Sequence, residues 1–277
     1  MQCETPKEKD IKPQSSCKSL ARGLKIIDIL GNYPNGCPLA KISQDAGFNK
    51  STVHRLLQEL IINGYVQPCA TQGNYRLTTK LLVIGHHVVS STNIYNLISP
   101  YLEKLNLAFS ETVNFSMIDD DHAIMLLKLN PTNSILKTKT SIGQILPLYC
   151  TAMGKVYLAF SSDENIENYW QTHLSNIIKI TDKTIVNFVD FQKEIEKVRQ
   201  SYVAFDNEEN ELGISCIAAP IFDINYVNNY AISLSATTKK LNTIGFDKVQ
   251  SLLLETCKNI SSELGCENYF ALKKDFD

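Results

Sequence analysis

The segment from Asn49 to Ile61 constrains the fold of this chain more than any other feature of its sequence. Its apolar residues recur at i, i+3, i+4, i+7 and i+8, the spacing of one buried helical stripe: Val53, Leu56, Leu57, Leu60 and Ile61. The opposite face, near the start, carries hydrogen-bond donors and cations: Lys50, Ser51, Thr52, His54 and Arg55. Arg and Lys pair with guanine edges in the major groove, and hydroxyls contact phosphates. The segment therefore predicts a recognition helix for double-stranded DNA.

Two helices are predicted before this segment. Ser19 is placed to cap the first, whose expected apolar stripe is Leu20, Leu24, Ile27 and Leu30. Pro38 suits the first turn of the second helix, and Gly47 ends it. Only a tight turn then separates the second helix from the third, as in a helix-turn-helix.

A β-hairpin is predicted after the third helix. Residues 64–66 and 74–77 have the pattern of two short strands around a turn at Gly73. Such a hairpin forms a wing, and Arg76 is placed on it to contact the DNA backbone or the minor groove. The alternative is a three-helix packing unit whose polar face is only solvated. The basic third helix and the hairpin together favour DNA binding.

These blocks resemble, in order and spacing, the winged domain of the isocitrate-lyase regulator (IclR) family. The matching residues are Ser19–Leu24, Lys50–Leu57, Gly64–Val66 and Tyr75–Leu77. On this resemblance and the helix pattern, the predicted DNA contacts are Arg22, Lys50, Ser51, Thr52, His54, Arg55 and Arg76.

The charge distribution is consistent with one DNA-binding part. Residues 15–85 contain eight Lys and Arg but three Asp and Glu, whereas residues 86–277 contain 16 and 23. A basic module attached to an acidic one fits a part that meets phosphates and a part that does not. No apolar run reaches the length of a membrane span, and the N-terminus lacks the apolar core of a signal peptide. We therefore expect a cytoplasmic protein with no membrane partner.

The second half of the chain mixes strands and helices. Residues 112–118 and 123–129 alternate like strands, with Asp119–Asp121 as a solvated turn that lacks the further ligands of a calcium loop. Further strands are predicted at 202–206, 215–222 and 230–235, and helices at 102–109, 151–160, 163–171, 188–200 and 246–264. This mixture predicts an α/β domain with a largely antiparallel sheet, so the fold class of the whole chain is α+β.

The second half also resembles the IclR family, whose effector-binding domain is similar to the GAF fold. The matching blocks are Gly143–Leu148, Thr151–Lys155, Phe205–Glu209, Leu212–Asp223 and Ala231–Ser235. Between the two halves, Leu81, Ile84, Val88 and Tyr95 form a loose apolar stripe. The predicted organisation is a disordered extension (1–16), a winged helix-turn-helix domain (17–80), a linker helix (81–97) and a GAF-like effector-binding domain (98–277).

The resemblance also implies a binding site for a small organic acid. The corresponding positions are Thr138, Leu146, Ala152, Met153, Asp206, Ile214, Cys216, Ser233 and Ser235. Ser233 and Ser235 are two residues apart on a strand, so their hydroxyls face the same way. The amides that open the helix at Ala152–Gly154 suit a carboxylate. Core packing of Ser and Cys, or Asp206 capping a turn, is the alternative reading of these residues.

Two other functions compete with a regulator that senses a metabolite. Catalysis is disfavoured because no nucleophile elbow, zinc-protease motif or phosphate loop appears in the sequence. Eight scattered cysteines leave open a metal- or redox-sensing regulator, with Cys150 and Cys216 as the candidate thiols.

The sequence thus predicts a DNA-binding transcriptional regulator and repressor, without catalytic activity, metal or cofactor. Its expected partners are a pseudo-palindromic operator, a small carboxylate effector and further copies of itself in a dimer or tetramer. The effector is expected to bias the placement of paired recognition helices and so to change operator affinity.

Overall fold

The chain divides into two compact units, which are described separately. The computed structural model describes residues 17–69, 73–91, 94–131 and 140–271. The units are Met1–Thr92 and Asn93–Asp277. Within the described ranges, no helix is both long enough and apolar enough to cross a lipid bilayer.

The first unit is a three-helix bundle with a small sheet and a fourth helix. Its elements are α1 (Lys18–Gly31), β1 (Cys37–Pro38), α2 (Leu39–Ala46), α3 (Lys50–Ile62), β2 (Val66–Pro68), β3 (Asn74–Leu77) and α4 (Lys80–Ser91). The three strands pair antiparallel in the order β1-β3-β2. The predicted helix-turn-helix and hairpin are both confirmed.

The core of this unit differs from the prediction in α1. Leu20 and Leu24, expected in the buried stripe, are 61% and 52% exposed, whereas Ile26 and Leu30 are buried. The periodicity was compatible with two adjacent apolar faces, and α2 and α3 cover only one of them. The predicted cap is also wrong: α1 begins at Lys18, and Cys17 at its N-cap makes no side-chain capping bond.

The turn between α2 and α3 follows from two residues. Gly47 ends α2 in the left-handed conformation, at φ 70°, which a glycine adopts without steric cost. Asn49 then caps α3, since its side chain accepts a hydrogen bond from the Thr52 amide at 2.8 Å. Val53 and Leu57 are fully buried in the core, as predicted for α3.

The second unit is built around one antiparallel sheet. Its elements are α5 (Ile94–Phe109), β4 (Thr112–Asp119), β5 (His122–Leu129), β6 (Ile145–Leu146), α6 (Ala152–Ala159), α7 (Asp163–Thr172), α8 (Phe188–Ser201), β7 (Ala204–Asn207), β8 (Ile214–Phe222), β9 (Asn228–Thr237), α9 (Thr238–Ile244) and α10 (Phe246–Glu263). The strand order is β6-β5-β4-β9-β8-β7. The predicted α+β class is confirmed.

The sheet separates two apolar cores. One core lies on the side of α5 and α10 and contains Val113, Phe115, Ile232 and Leu234. The other lies on the side of α6, α7 and α8 and contains Met125, Leu146 and Trp170. Because successive strand residues point to opposite faces, β8 and β9 supply apolar residues to both cores.

The segment predicted as a linker helix, 81–97, is divided between two elements. α4 extends from Lys80 to Ser91 in the first unit, and α5 begins at Ile94 in the second. α5 is also longer than the helix predicted at 102–109, and it contains Pro100. The predicted N-terminal extension, 1–16, lies outside the described residues.

Candidate DNA interface and effector site

The candidate DNA interface is the exposed face at the start of α3. The side chains of Lys50, Ser51, His54 and Arg55 are exposed, and that of Thr52 is half-buried. The Ser51 hydroxyl donates to the Asn49 side chain at 2.9 Å, so the cap also orients this hydroxyl. The structure therefore brings these predicted contacts together on one helical surface.

The two other predicted contacts lie on α1 and on the wing. The Arg22 guanidinium lies over the ring of Phe48 at 5.3 Å from the centroid, with Lys25 over the same ring at 5.4 Å. Arg76 is exposed on β3 opposite Gln67. With the Gln67 amide turned to satisfy its neighbours, its oxygen accepts from Nε and Nη2 of Arg76 at 2.9 and 3.0 Å. Lys25, which sequence reasoning did not select, thus shares the Phe48 ring with Arg22.

The candidate effector site lies on the α6 side of the sheet. Asp206 pairs with Cys216 on β8, and Cys216 pairs in turn with Ser235 on β9. Ser233 lies in the next row and pairs with Asn114 on β4. Residues directly opposite in an antiparallel sheet share a face. The predicted residues of three strands therefore lie on one surface.

Hydrogen bonds connect this surface into a small network. The Asn114 Nδ2 donates to the hydroxyls of Ser233 and Ser235 at 3.1 and 3.0 Å. The Ser235 Oγ lies 3.1 Å from the Cys216 Sγ. We call these four residues, Asn114, Cys216, Ser233 and Ser235, the polar wall. Asn114 and the two serines are at most 5% exposed.

The remaining predicted site residues border the polar wall or lie near it. Leu146 is buried opposite Ala123, and Ile214 begins β8 two residues before Cys216. Ala152 and Met153 are buried in the first turn of α6. Thr138 lies outside the described residues. The assignment of all these positions to an effector remains a prediction.

The first turn of α6 offers fewer amides than expected. The Thr151 hydroxyl caps the helix by accepting from the Gly154 amide at 3.1 Å. In the part of the chain that the structure describes, this leaves the amides of Ala152 and Met153 for an anion. The Met153 sulfur accepts a hydrogen bond from Ser116 at 3.0 Å, so its side chain reaches β4.

Asp206 caps a turn, which was the alternative to a ligand contact. Its Oδ1 accepts from the amides of Glu209 and Asn210 at 2.7 and 3.3 Å. Burial raises the pKa of Asp206 to about 7, and the amide hydrogen bonds and nearby Lys155 counteract that rise only in part. The residue therefore holds the chain after β7 and titrates near neutral pH.

Two residues that lie beside the candidate site, Asn114 and Lys128, were not selected by sequence reasoning. Asn114 belongs to the polar wall, and Lys128 lies directly opposite it on β5. Burial lowers the pKa of Lys128, and its ammonium donates to the Thr140 carbonyl at 2.6 Å. The available signal was in β4, where Asn114 and Ser116 occupy the inward positions that alternate with Val113 and Phe115.

The two candidate thiols, Cys150 and Cys216, do not have the environment of a reactive thiolate. Within the described ranges, no group of three or more His, Cys, Asp and Glu residues is arranged to hold a metal ion. Burial raises the pKa of Cys150 to about 12 and also raises that of Cys216. Both thiols are therefore protonated near neutral pH, which disfavours thiolate reactivity. The acidic turn is also accounted for, because Asp121 pairs with His122 and with His173.

Both parts of the chain match profiles of one protein family. A profile of the IclR helix-turn-helix domain matches residues 19–68, and a profile described as the bacterial transcriptional regulator IclR C-terminal domain matches residues 86–262. The chain belongs to the IclR family. The predicted family is thereby confirmed, together with the DNA-binding helix-turn-helix that defines the N-terminal part of IclR regulators.

Two IclR relatives match over nearly their full length. The chain is 49% identical over 262 residues to the DNA-binding transcriptional repressor YiaJ of Escherichia coli, covering 95% of this chain and 92% of YiaJ. It is 52% identical over 252 residues to an uncharacterized HTH-type transcriptional regulator of Haemophilus influenzae, covering 91% and 94%. These relatives are transcriptional regulators, and no catalytic family is indicated.

Solved structures of IclR proteins share the fold. The Thermotoga maritima IclR aligns with a TM-score of 0.68 and 27% identity, covering 89% of this chain and 98% of that one. A structure of transcriptional regulator YaiJ aligns with a TM-score of 0.61 and 46% identity, covering 62% of this chain and 96% of that one. An IclR homolog from Microbacterium hydrocarbonoxydans, complexed with 4-hydroxybenzoate, gives 0.74 at 18% identity, covering 89% and 99%, which shows the fold alone.

Proposed function

We propose that this IclR protein is a transcriptional repressor whose operator affinity is changed by a small organic acid. The observation that carries the DNA-binding half is the exposed cationic face of α3, held by the buried Val53 and Leu57 behind it. Lys50 and Arg55 on that face can donate hydrogen bonds to guanine edges. Arg76 on the wing can bind a phosphate of the DNA backbone. The repressor function of YiaJ, its relative at 49% identity, supports the sign of regulation.

The polar wall and its borders support the effector half. A carboxylate needs donors and a positive charge, and the structure offers the amides of Ala152 and Met153 and the half-buried ammonium of Lys128. An anion near Lys128 offsets the loss of hydration that lowers the pKa of this lysine. The bound 4-hydroxybenzoate of the Microbacterium homolog is itself an organic acid, which motivates the class of ligand.

Exposed apolar side chains in the first unit support association with a second copy. Leu20 and Leu24 are exposed on α1, and Leu82 and Val83 are 74% and 55% exposed on α4. Each of these two helices therefore exposes two large apolar side chains, and exposed apolar patches are typical of interaction sites. A symmetric pair would present two α3 helices to the two halves of a pseudo-palindromic operator.

The experiment is titration of the full chain against DNA from upstream of its own gene, at one fixed salt concentration. We expect specific binding that exceeds binding to scrambled DNA by at least tenfold. Arg55→Ala removes one contact of α3 and is expected to weaken specific binding by about 1–3 kcal/mol. Lys248→Ala is the matched control, because it removes the same charge from an exposed position on α10. Equal losses for both variants would reduce the effect to net charge.

The effector half is tested in the same titration with small carboxylates added. One acid is expected to shift operator affinity about tenfold, which is about 1.4 kcal/mol of coupling. Lys128→Met is expected to abolish that shift while leaving DNA affinity without acid unchanged. Operator affinity that no carboxylate moves would contradict acid sensing and leave the DNA-binding half intact.

A further inference from the structure

The amide oxygen of Asn114 is a buried acceptor with no donor. Asn114 is 2% exposed, and within the described residues no hydrogen-bond partner lies near its Oδ1. Its Nδ2, in contrast, is fully used by the hydroxyls of Ser233 and Ser235. Buried polar groups are nearly always paired, so an orphan acceptor requires an explanation.

The neighbouring serine has the complementary deficiency. Ser233 accepts from Asn114, but no hydrogen bond donated by its own hydroxyl is found in the part of the chain that the structure describes. An orphan acceptor and an underused donor therefore lie side by side on paired positions of β4 and β9. A hydroxyl group is both donor and acceptor, so a single ligand hydroxyl satisfies both.

The polar wall has one partly exposed residue, Cys216. Cys216 lies on β8, which has a partner strand on each side, yet it is the only one of the nine residues of β8 that is not buried. Its side chain points to the α6 face, in the same row as Ser235. The partly exposed end of the polar wall is therefore at Cys216, beside Ser235.

We infer that Asn114 is a specificity-determining residue of the effector site and selects hydroxylated carboxylic acids over apolar ones. This inference rests on the proposed acid-sensing function and narrows its ligand class. The carboxylate lies toward Lys128 and the first turn of α6, and a ligand hydroxyl donates to Asn114 Oδ1 and accepts from Ser233. An apolar acid leaves both protein groups unpaired, and sites built to bind a hydroxyl discriminate strongly against such analogues.

The test uses two matched pairs of acids, glycerate with propanoate and gluconate with hexanoate. The members of each pair differ only in their hydroxyl groups. Calorimetric titration of the full chain is expected to show at least tenfold tighter binding of the hydroxylated member in at least one pair. Asn114→Leu is expected to reduce this preference at least tenfold, while the affinity for the apolar member changes less than threefold.

Asn228→Leu is the matched control. Asn228 is also a buried asparagine of the same sheet with an orphan Oδ1, but its Nδ2 donates to the Val156 carbonyl, away from the polar wall. This variant is expected to leave the preference unchanged even if it unfolds at lower temperature. If Asn114→Leu does not fold, Asn114→Ala provides the same comparison with a smaller change of shape.

The outcomes separate this inference from the function on which it rests. Acids that bind with no preference for hydroxyls, or a preference that survives in the Asn114 variants, overturn the role of Asn114 and leave acid sensing in place. Binding of none of the four acids, together with operator affinity unmoved by any carboxylate, overturns both.

Discussion

Lys155 is the side chain on which the packing of α6 against the chain after β7 depends. Its ammonium is fully buried and lies 2.5 Å from Glu209 Oε1, 2.8 Å from the Phe205 carbonyl and 3.7 Å from Glu194. Glu209 is 4% exposed, and its Oε2 has no partner within the described residues. Lys155→Met removes the charge and leaves a buried carboxylate uncompensated.

The expected cost is about 3–5 kcal/mol in the free energy of unfolding. At 2.5 Å between Lys155 Nζ and Glu209 Oε1, the Coulomb energy is about 7 kcal/mol for an effective dielectric constant near 20. The variant no longer has to bury a charged ammonium, and this saved desolvation energy offsets part of the loss. Burial raises the pKa of Glu209 even with Lys155 present. Without Lys155 that pKa rises further, so the folded state binds more protons than the unfolded state, and the variant loses stability as pH increases. The cost should therefore be larger near pH 8 than near pH 5.

The assay is urea denaturation followed by tryptophan fluorescence. Trp170 is the only tryptophan in the sequence and is packed against Phe188 and Phe191, so its emission reports the second unit alone. Lys193→Met is the control, since Lys193 pairs with Asp190 on the surface and its loss should cost less than about 1 kcal/mol.

A double-mutant cycle decides whether the reasoning is right. Glu209→Leu combined with Lys155→Met removes both charges, and the double variant should recover most of the loss. The argument for a buried pair is refuted if the two single losses add in the double variant. A cost for Lys155→Met as small as that for Lys193→Met would refute it equally.

Three further predictions concern single residues. Burial raises the pKa of Asp206 from 3.8 to about 7, so the folded state binds an extra proton and the wild type should lose stability as the pH rises from about 4 to about 7. Asp206→Asn should reduce this loss in thermal melts recorded across the same pH range. An unchanged dependence of the melting temperature on pH would contradict the raised pKa. Gly154→Ala would place a Cβ 2.3 Å from the Leu148 Cα, so the free energy of unfolding should fall by about 1–3 kcal/mol. Urea denaturation followed by Trp170 fluorescence measures this loss. An unchanged free energy of unfolding would show that the backbone at Leu148 can move away. Asn49→Ala removes the cap on the Thr52 amide and should cost about 1 kcal/mol in a thermal melt, whereas Asn49→Asp should not.

The sequence predicted most of the secondary structure because the periodic signals were long. The stripe of α3 is fixed by Val53 and Leu57, and no competing apolar face exists there. In α1 two apolar faces compete, and only tertiary packing chooses Ile26 over Leu24. In α5 the helix passes through Pro100, a residue that normally breaks a helix, because buried Ile98 and Leu102 hold both sides of it.

The candidate site was less predictable than the fold. Family resemblance indicated the strand positions of Ser233 and Ser235, but it could not show that Asn114 bonds to both of them. That contact joins residues more than a hundred positions apart and depends on the register of β4 with β9. The role of Asp206 as a cap depends equally on the path of the chain after β7. Local patterns contain no information about either relationship.

The alternation in β9 has a consequence for how regulators of this kind diverge. Ile232, Leu234 and Ala236 face the core of α5 and α10, whereas Ala231, Ser233 and Ser235 face the other side. At the proposed effector site, a substitution of Ser233 or Ser235 therefore changes a residue whose neighbours along the chain pack into the opposite core. One strand can acquire a new chemical preference by exchanging alternate residues, while the intervening residues continue to hold the domain together.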